Sequence, residues 1–285
     1  MSRTVYLNGG YMAEESAKVS IFDRGFLLAD AVYEVTSVLN GKLLDFDGHM
    51  ERLKRSLGEL DFRFEVNRDE LLKVQLELVR LNEIDEGIVY LQITRGVCDR
   101  SFKFPDAGVQ PTILMFTQHR TALNPADPET GIRVISTEDL RWGRRDIKTV
   151  QLLFPSMAKM QAVRAGADDA FLVQDGEVTE GTAYNAYIVT KNGTIVTRQL
   201  STDILHGITR ATMLRYAREA QMQVEERPFT IEEAKSAAEA FITSASNYVM
   251  PVVEIDGVKL GDGRPGPVSR RLRELYIEES LKTAI

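Results

Sequence analysis

The sequence predicts a mixed α+β protein in two domains, on three observations. β-rich runs closed by Asn-Gly or Asp-Gly turns recur along the chain, segments with apolar residues at helical spacing lie among them, and a polar, proline-bearing stretch at residues 119–131 interrupts both patterns. At 285 residues, 44% hydrophobic and 27% charged, the chain has the length of one large or two modest globular domains. The expected division is a small N-terminal α/β domain over 1–118, a linker over 119–131 and a larger C-terminal domain over 132–285.

Val5-Tyr6-Leu7, Asn8-Gly9-Gly10 and Tyr11-Met12 read as a hairpin, because Asn-Gly supplies the positive-φ residues of a tight turn. Asp23-Arg24-Gly25-Phe26 reads as a turn into the alternating run Ala31–Leu39, which Asn40-Gly41 folds back onto Lys42–Phe46. Residues 49–60 carry Met50, Leu53, Leu57 and Leu60 at helical spacing, and the pattern puts Arg52 on the wet side of that helix. Asp69 to Leu81 is a second amphipathic helix, with Asn67 or Asp69 as its N-cap. Ile88–Thr94 and Thr112–Thr117 read as buried strands around a loop that contains Cys98, Arg100, Phe102 and Phe104.

Beyond the linker, strands are expected at Ile132–Ser136, Ala170–Gln174, Glu177–Thr179, Tyr184–Thr190 and Phe241–Ser244. Helices are expected at Leu153–Ala165, at Gly207–Gln221, and over Ile231–Ala237 with Thr230 as its cap. Pro267 opens the last helix, since its missing N–H costs nothing in a first turn.

A net charge of −7 and a pI near 5.2, with no basic run able to track a phosphate backbone, argue against nucleic-acid binding. No apolar run approaches membrane-spanning length, Cys98 has no intramolecular partner, and the first twenty residues form no leader, so a cytoplasmic protein is expected. Gly261-Asp262-Gly263-Arg264-Pro265-Gly266 fits the dinucleotide fingerprint literally, but only about twenty residues follow, too few for the rest of that unit, so it reads as a surface turn. His49, His119 and His206 are scattered and read as surface or satisfied histidines. No His/Cys spacing suits a metal, and Cys98 lacks a nearby histidine to make it a thiolate.

Two stretches carry chemistry. Lys148 lies in Asp146-Ile147-Lys148-Thr149-Val150, after a basic, aromatic turn and before an apolar run, and partial burial lowers an ammonium pKa enough for covalent amine chemistry. Some thirty residues on, Thr179-Glu180-Gly181-Thr182-Ala183-Tyr184-Asn185 supplies an acid. Gly207-Ile208-Thr209-Arg210 at a helix start and Thr243-Ser244-Ala245-Ser246 at a strand end supply backbone N–H groups and hydroxyls suited to a phosphate, or serve as ordinary caps. A lysine, an acid and a phosphate cup together match the needs of pyridoxal 5'-phosphate.

In order and spacing, Asp146-Ile147-Lys148, Glu180-Gly181 through Asn185-Ala186-Tyr187, and Leu205-His206-Gly207-Ile208-Thr209-Arg210 resemble the class IV aminotransferases, a fold-type IV pyridoxal phosphate family. The resemblance runs over nearly the whole chain. Asp23-Arg24-Gly25, Asp30-Ala31-Val32-Tyr33-Glu34-Val35, Gln92-Ile93-Thr94-Arg95-Gly96 and Ile242-Thr243-Ser244 are most similar to the bacterial D-amino acid aminotransferase branch. The resemblance implies a two-domain, D-amino acid aminotransferase-like fold whose larger domain binds the cofactor. It makes Lys148 the Schiff-base lysine and proton shuttle, and Glu180 the partner of the pyridine nitrogen. Arg52, Ile208, Thr209, Ser244 and Ala245 are implied to hold the phosphate, Leu205 to pack on the ring, and Tyr33 and Ala183 to line the substrate site.

The family is dimeric, and the resemblance implies a homodimer in which an arginine and a histidine on a loop of the neighbouring subunit receive the substrate carboxylate. Arg100 matches the arginine, but Phe102 stands where the histidine should be, and Ser37 replaces a lysine four residues after the pocket tyrosine. A fully buried phenylalanine contributes about 1.5–3 kcal/mol of apolar contact. The implied activity is transfer of the amino group of D-amino acids such as D-alanine to pyruvate or 2-oxoglutarate, with (R)-primary amines as further substrates. Branched-chain L-amino acid aminotransferase and aminodeoxychorismate lyase share the fold and stand as alternatives. The first usually has an Asn-Tyr pair where this chain has Val150-Gln151-Leu152-Leu153, and the second tends to have threonines where it has Tyr33-Glu34-Val35.

Overall fold

The Asn-Gly and Asp-Gly pairs form the tight turns their backbone freedom favours. Asn8 and Gly9, Asn40 and Gly41, and Asp175 and Gly176 all have positive φ, and each pair joins antiparallel strands in register, Leu7 with Gly10, Leu39 with Lys42, and Gln174 with Glu177. The computed structural model describes residues 2–121 and 129–285; of the expected linker, residues 122–128 lie outside the described residues. The chain divides into two units. The first contains residues up to Thr121, the short segment Ile147–Gln151 and the C-terminal Thr283–Ile285, and the second contains the remainder.

The first unit is built on an antiparallel sheet of order β2-β1-β6-β5-β3-β4. Its strands are β1 (Thr4–Leu7), β2 (Gly10–Ala13), β3 (Ala31–Leu39), β4 (Lys42–Leu43), β5 (Glu86–Thr94) and β6 (Thr112–His119). Helix α1 (Arg24–Leu28) occupies the expected turn before β3, capped by the Asp23 carboxylate, which accepts from the Gly25 N–H. Helix α2 (Phe46–Glu59) starts three residues earlier than the apolar spacing suggests and buries Met50, Leu53 and Leu57. Helix α3 (Arg68–Leu81) is capped by Asn67, whose side chain accepts from the Glu70 N–H.

Ile147–Gln151 groups with the first unit rather than with the C-terminal domain in which the sequence reading puts it. Backbone pairing explains this: Tyr33 N–H donates to the Lys148 carbonyl at 3.0 Å and Val150 N–H to that of Ala31 at 3.2 Å, so the segment joins the free edge of β3. The C-terminus does the same at β4, where Leu43 and Ile285 exchange both backbone bonds.

The second unit carries a nine-stranded mixed sheet of order β12-β11-β10-β13-β14-β7-β8-β9, with β15 on the side of β14. Its strands are β7 (Ile132–Glu138), β8 (Asp169–Gln174), β9 (Glu177–Gly181), β10 (Asn185–Val189), β11 (Ile195–Thr197), β12 (Val224–Glu226), β13 (Glu239–Ser244), β14 (Tyr248–Ile255) and β15 (Val258–Lys259). Helix α4 (Leu153–Arg164) connects the parallel pair β7 and β8 and packs Ala158 and Ala162 on Ala170 and Leu172. The other helices are α5 (Ile208–Glu219), α6 (Ile231–Ser236), capped as expected by Thr230, and α7 (Pro267–Thr283), which Pro267 opens. The pattern reading assigns no strand to β14 and β15, although Asp256-Gly257, both at positive φ, mark their turn. Among the described residues no helix is long and apolar enough to cross a membrane.

Candidate active site

Strand β3 sends alternate side chains to opposite faces of its sheet. On one face Tyr33 stacks on Tyr90, which stacks on Phe116, with ring centroids 5.5 and 4.8 Å apart. The Lys148 ammonium lies over the Tyr33 ring, 4.2 Å from its centroid, and the lysine is half-buried, as its apolar neighbours suggest. Ser37, four residues on, belongs to the same face and is buried. The opposite face presents Glu34 to helix α2. Glu34 is fully buried and accepts from Arg52 Nε and Nη2 at 2.8 and 2.7 Å, and its carboxylate lies 2.8 Å from His49 Nδ1.

Arg52 is therefore not on the wet side of its helix. It is 7% exposed, because Glu34 on the facing strand supplies the counter-charge that an apolar-spacing argument cannot see. His49 is a buried, satisfied histidine. Burial pushes the Glu34 carboxyl up, but Arg52 and His49 outweigh it and hold its pKa down at about 2. A carboxylate depressed on folding adds stability above its unfolded pKa and loses it as pH falls toward the folded one. From an ordinary value of 4.5 to about 2, the contribution is on the order of 3 kcal/mol. Glu34→Gln is accordingly expected to flatten the acid limb of stability. Denaturation midpoints of wild type and variant between about pH 6 and pH 2 test this, and parallel curves would remove Glu34 as the cause.

In the second unit, Glu180 ends β9 and is 3% exposed. It accepts from Asn185 Nδ2 at 3.1 Å and from the Leu205 N–H at 3.0 Å, and Arg141 Nη1 donates to its other oxygen. Asn185 also donates to the Leu205 carbonyl at 2.9 Å, so one amide ties the acid to the residue expected to pack on a bound ring. Arg141 in turn grips Asp139 through Nε and Nη2 at 2.9 and 2.6 Å.

Gly207 precedes α5 because a side chain does not fit there: an added Cβ would meet Asn185 Oδ1 at 2.0 Å. The helix consequently begins with no side-chain cap, which leaves the backbone donors of its first turn, Ile208 and Thr209 among them, to be satisfied from outside the helix. α5 packs on β13, which ends at Ser244, and the Ser244 hydroxyl accepts from the Asn247 N–H at 3.2 Å to turn the chain through Ala245. A buried, fixed acid and an uncapped twelve-residue helix made tight by glycine fit a phosphate-bearing pyridine.

The structure thus groups Tyr33, Ser37, Arg52 and Lys148 in the first unit, and Glu180, Leu205, Ile208, Thr209, Ser244 and Ala245 in the second. Ala183, Arg100 and Phe102 are exposed, Phe102 at 81%, and the Arg100 guanidinium lies 5.2 Å from the Phe102 ring centroid. Sequence reasoning gives no role to Glu34, His49, Asp139, Arg141 or Asn185. The Asp139-x-Arg141 spacing hints at a pair, but the fold alone supplies its target, Glu180.

Residues 31–255 match the family described as Amino-transferase class IV. The chain belongs to the class IV aminotransferases. It is 38% identical over 278 residues to D-alanine aminotransferase of Staphylococcus aureus (strain N315), covering 96% of this chain and 98% of that protein. To D-alanine aminotransferase of Bacillus licheniformis it is 37% identical over 283 residues, 98% and 99% of the two chains. Among solved class IV folds, the branched-chain aminotransferase of the archaeon Thermoproteus uzoniensis with norvaline superimposes with a TM-score of 0.85 at 28% identity, covering 99% of this chain and 96% of that one. A bacterial-type counterpart solved with pyridoxamine 5'-phosphate superimposes with a TM-score of 0.89 at 26% identity, covering 98% and 94%. The expected fold, family and transaminase chemistry are borne out. Pyridoxal 5'-phosphate is the cofactor of class IV aminotransferases, and the acid and helix start described above suit it.

Proposed function

We propose that this aminotransferase moves the amino group of D-amino acids, D-alanine among them, to a 2-keto acid such as pyruvate or 2-oxoglutarate, and that it works in the cytoplasm as a homodimer. The observation that carries the substrate class is the similarity of 37–38% over nearly the full length to D-alanine aminotransferases of two bacterial genera. Residues 1–118 and 132–285 are read as the two domains, with 119–131 between them.

When bound, pyridoxal phosphate supplies a ring that draws electrons from the substrate Cα. Lys148 binds the cofactor carbon and, once displaced by substrate, its amine takes the Cα proton and returns it on the other side of the transfer. Glu180, held by Asn185, Arg141 and the Leu205 N–H, keeps the pyridine nitrogen protonated. The Ile208 and Thr209 N–H groups, Ser244, Ala245 and Arg52 hold the phosphate, Arg52 being fixed by Glu34. Leu205 packs on the ring, Tyr33 and Ala183 line the substrate site, and the exposed Arg100 reaches the carboxylate bound in the neighbouring subunit.

Phe102 and Ser37 remove two polar groups from the carboxylate side, which widens the range to (R)-primary amines. The test is the visible spectrum of the holoenzyme with D-alanine, L-leucine or (R)-1-phenylethylamine added separately. D-alanine should bleach the yellow band, and the amine should do so more slowly. Bleaching by L-leucine alone would move the protein to the branched-chain substrate class. Phe102→His should depress turnover of the amine more than that of D-alanine, and an equal effect on both would remove Phe102 as the determinant.

A further inference from the structure

We propose that Arg24 is a positioning residue for the carboxylate trap: a buried cluster of Arg24, Asp30 and Arg95 fixes the loop backbone that carries Arg100 and Phe102, and so sets affinity for the substrate carboxylate. The inference rests on the reading that Arg100 receives that carboxylate.

Asp30 accepts from both guanidinium groups, from Arg24 Nε at 2.7 Å and from Arg95 Nε at 2.8 Å. Two buried cations share one carboxylate, so an excess positive charge remains that water does not reach, and it requires further acceptors. Backbone carbonyls provide them. Arg95 donates to Leu60 and Asp61, which lock the end of α2, and Arg24 Nη1 donates to the carbonyls of Ser101 at 2.6 Å and Lys103 at 3.2 Å. The second pair brackets Phe102 and directly follows Arg100.

The loop is fastened a second time by Phe104, whose ring centroid lies 3.7 Å from the Arg95 guanidinium and 6.0 Å from that of Arg24. Releasing the loop would leave a buried guanidinium donor without its acceptors, so the loop backbone stays put while the Arg100 and Phe102 side chains face outward. An exposed arginine on a mobile loop would lose rotamer and backbone freedom each time it bound a carboxylate; a fastened loop has lost the backbone share already.

The experiment compares Arg24→Lys, which keeps a charge near Asp30 but cannot fork to the loop carbonyls, and Phe104→Ala, at a 55% exposed position where folding is not at risk. In both, KM for D-alanine and for pyruvate should rise about tenfold with kcat within about twofold, the effect of losing one charge-assisted contact to the carboxylate. Inhibition by D-alaninol, an amine without a carboxylate, should be unchanged, and amide exchange over residues 99–104 should quicken. Arg100→Ala alone should raise KM for D-alanine, and adding Arg24→Lys to it should raise KM no further. If Arg100→Ala raises KM while Arg24→Lys and Phe104→Ala do not, or weaken D-alaninol equally, the positioning role is overturned. If Arg100→Ala leaves KM unchanged, the carboxylate reading itself fails.

Discussion

Lys148→Ala lowers kcat for D-alanine by about four orders of magnitude, the upper end of what one positioned proton-transfer group supplies. The loss is chemical rather than structural. The backbone of Lys148 is pinned independently of its side chain: its carbonyl accepts from Tyr33, Thr149 bridges Val32, and its N–H reaches the Ser56 hydroxyl at 3.4 Å. What disappears is a half-buried amine over the Tyr33 ring, and a truncation of that kind changes stability by no more than about 1 kcal/mol. Lys148→Arg, which keeps the charge and cannot form the covalent link, is expected to be equally inactive. Pyruvate release measures turnover, and borohydride reduction of the wild-type holoenzyme, followed by peptide mass analysis, should place the cofactor on the Lys148 peptide. Retention of more than about one hundredth of wild-type kcat by Lys148→Ala would be incompatible with this role.

Arg141→Ala destabilises the protein by about 3–5 kcal/mol, as expected when one member of a buried ion cluster is removed. Arg141 is the shared partner of two carboxylates, Asp139 and Glu180, whose side chains are 0% and 4% exposed. Its guanidinium satisfies both, and these neighbours hold its own pKa above the usual value against the desolvation of burial. Without it, Glu180 keeps its bonds to Asn185 and Leu205, and Asp139 keeps Thr179 and Arg145, the latter at 3.5 Å.

The pH dependence carries the sharper signature. Burial raises the Asp139 pKa, and Arg141, Thr179 and Arg145 together overcome that and hold it below the ordinary value, so in wild type this residue's contribution is present above the unfolded pKa and fades on acidification. With Arg141 gone, desolvation dominates and the folded-state pKa rises above the unfolded one. The variant should then gain stability relative to wild type as pH falls, opposite in sign to the wild-type trend. Chemical denaturation of both proteins at about pH 8 and about pH 5 decides the matter. A loss under about 1 kcal/mol at the higher pH, with no change in slope, would mean that the two carboxylates do not depend on Arg141.

Sequence alone was sufficient wherever the signal is local. Asn-Gly turns, the caps Asn67 and Thr230, the proline at the start of α7 and the apolar spacing of α2 each depend on residues within one turn of one another, and all lie where the pattern puts them. The order of Lys148, Glu180 and the Gly207-Ile208-Thr209 helix start was likewise sufficient for the cofactor and the family.

What the tertiary structure decided is which charges are buried and against what. Arg52 and Glu34 are eighteen residues apart, and Arg141 and Glu180 thirty-nine; neither separation leaves a periodic trace, yet each pair is bonded and buried. Arg24 reaches the loop carbonyls of Ser101 and Lys103 across more than seventy residues. Such pairs are invisible to propensity and periodicity, because the force that joins them is desolvation, and desolvation exists only after the sheets and helices have closed around them.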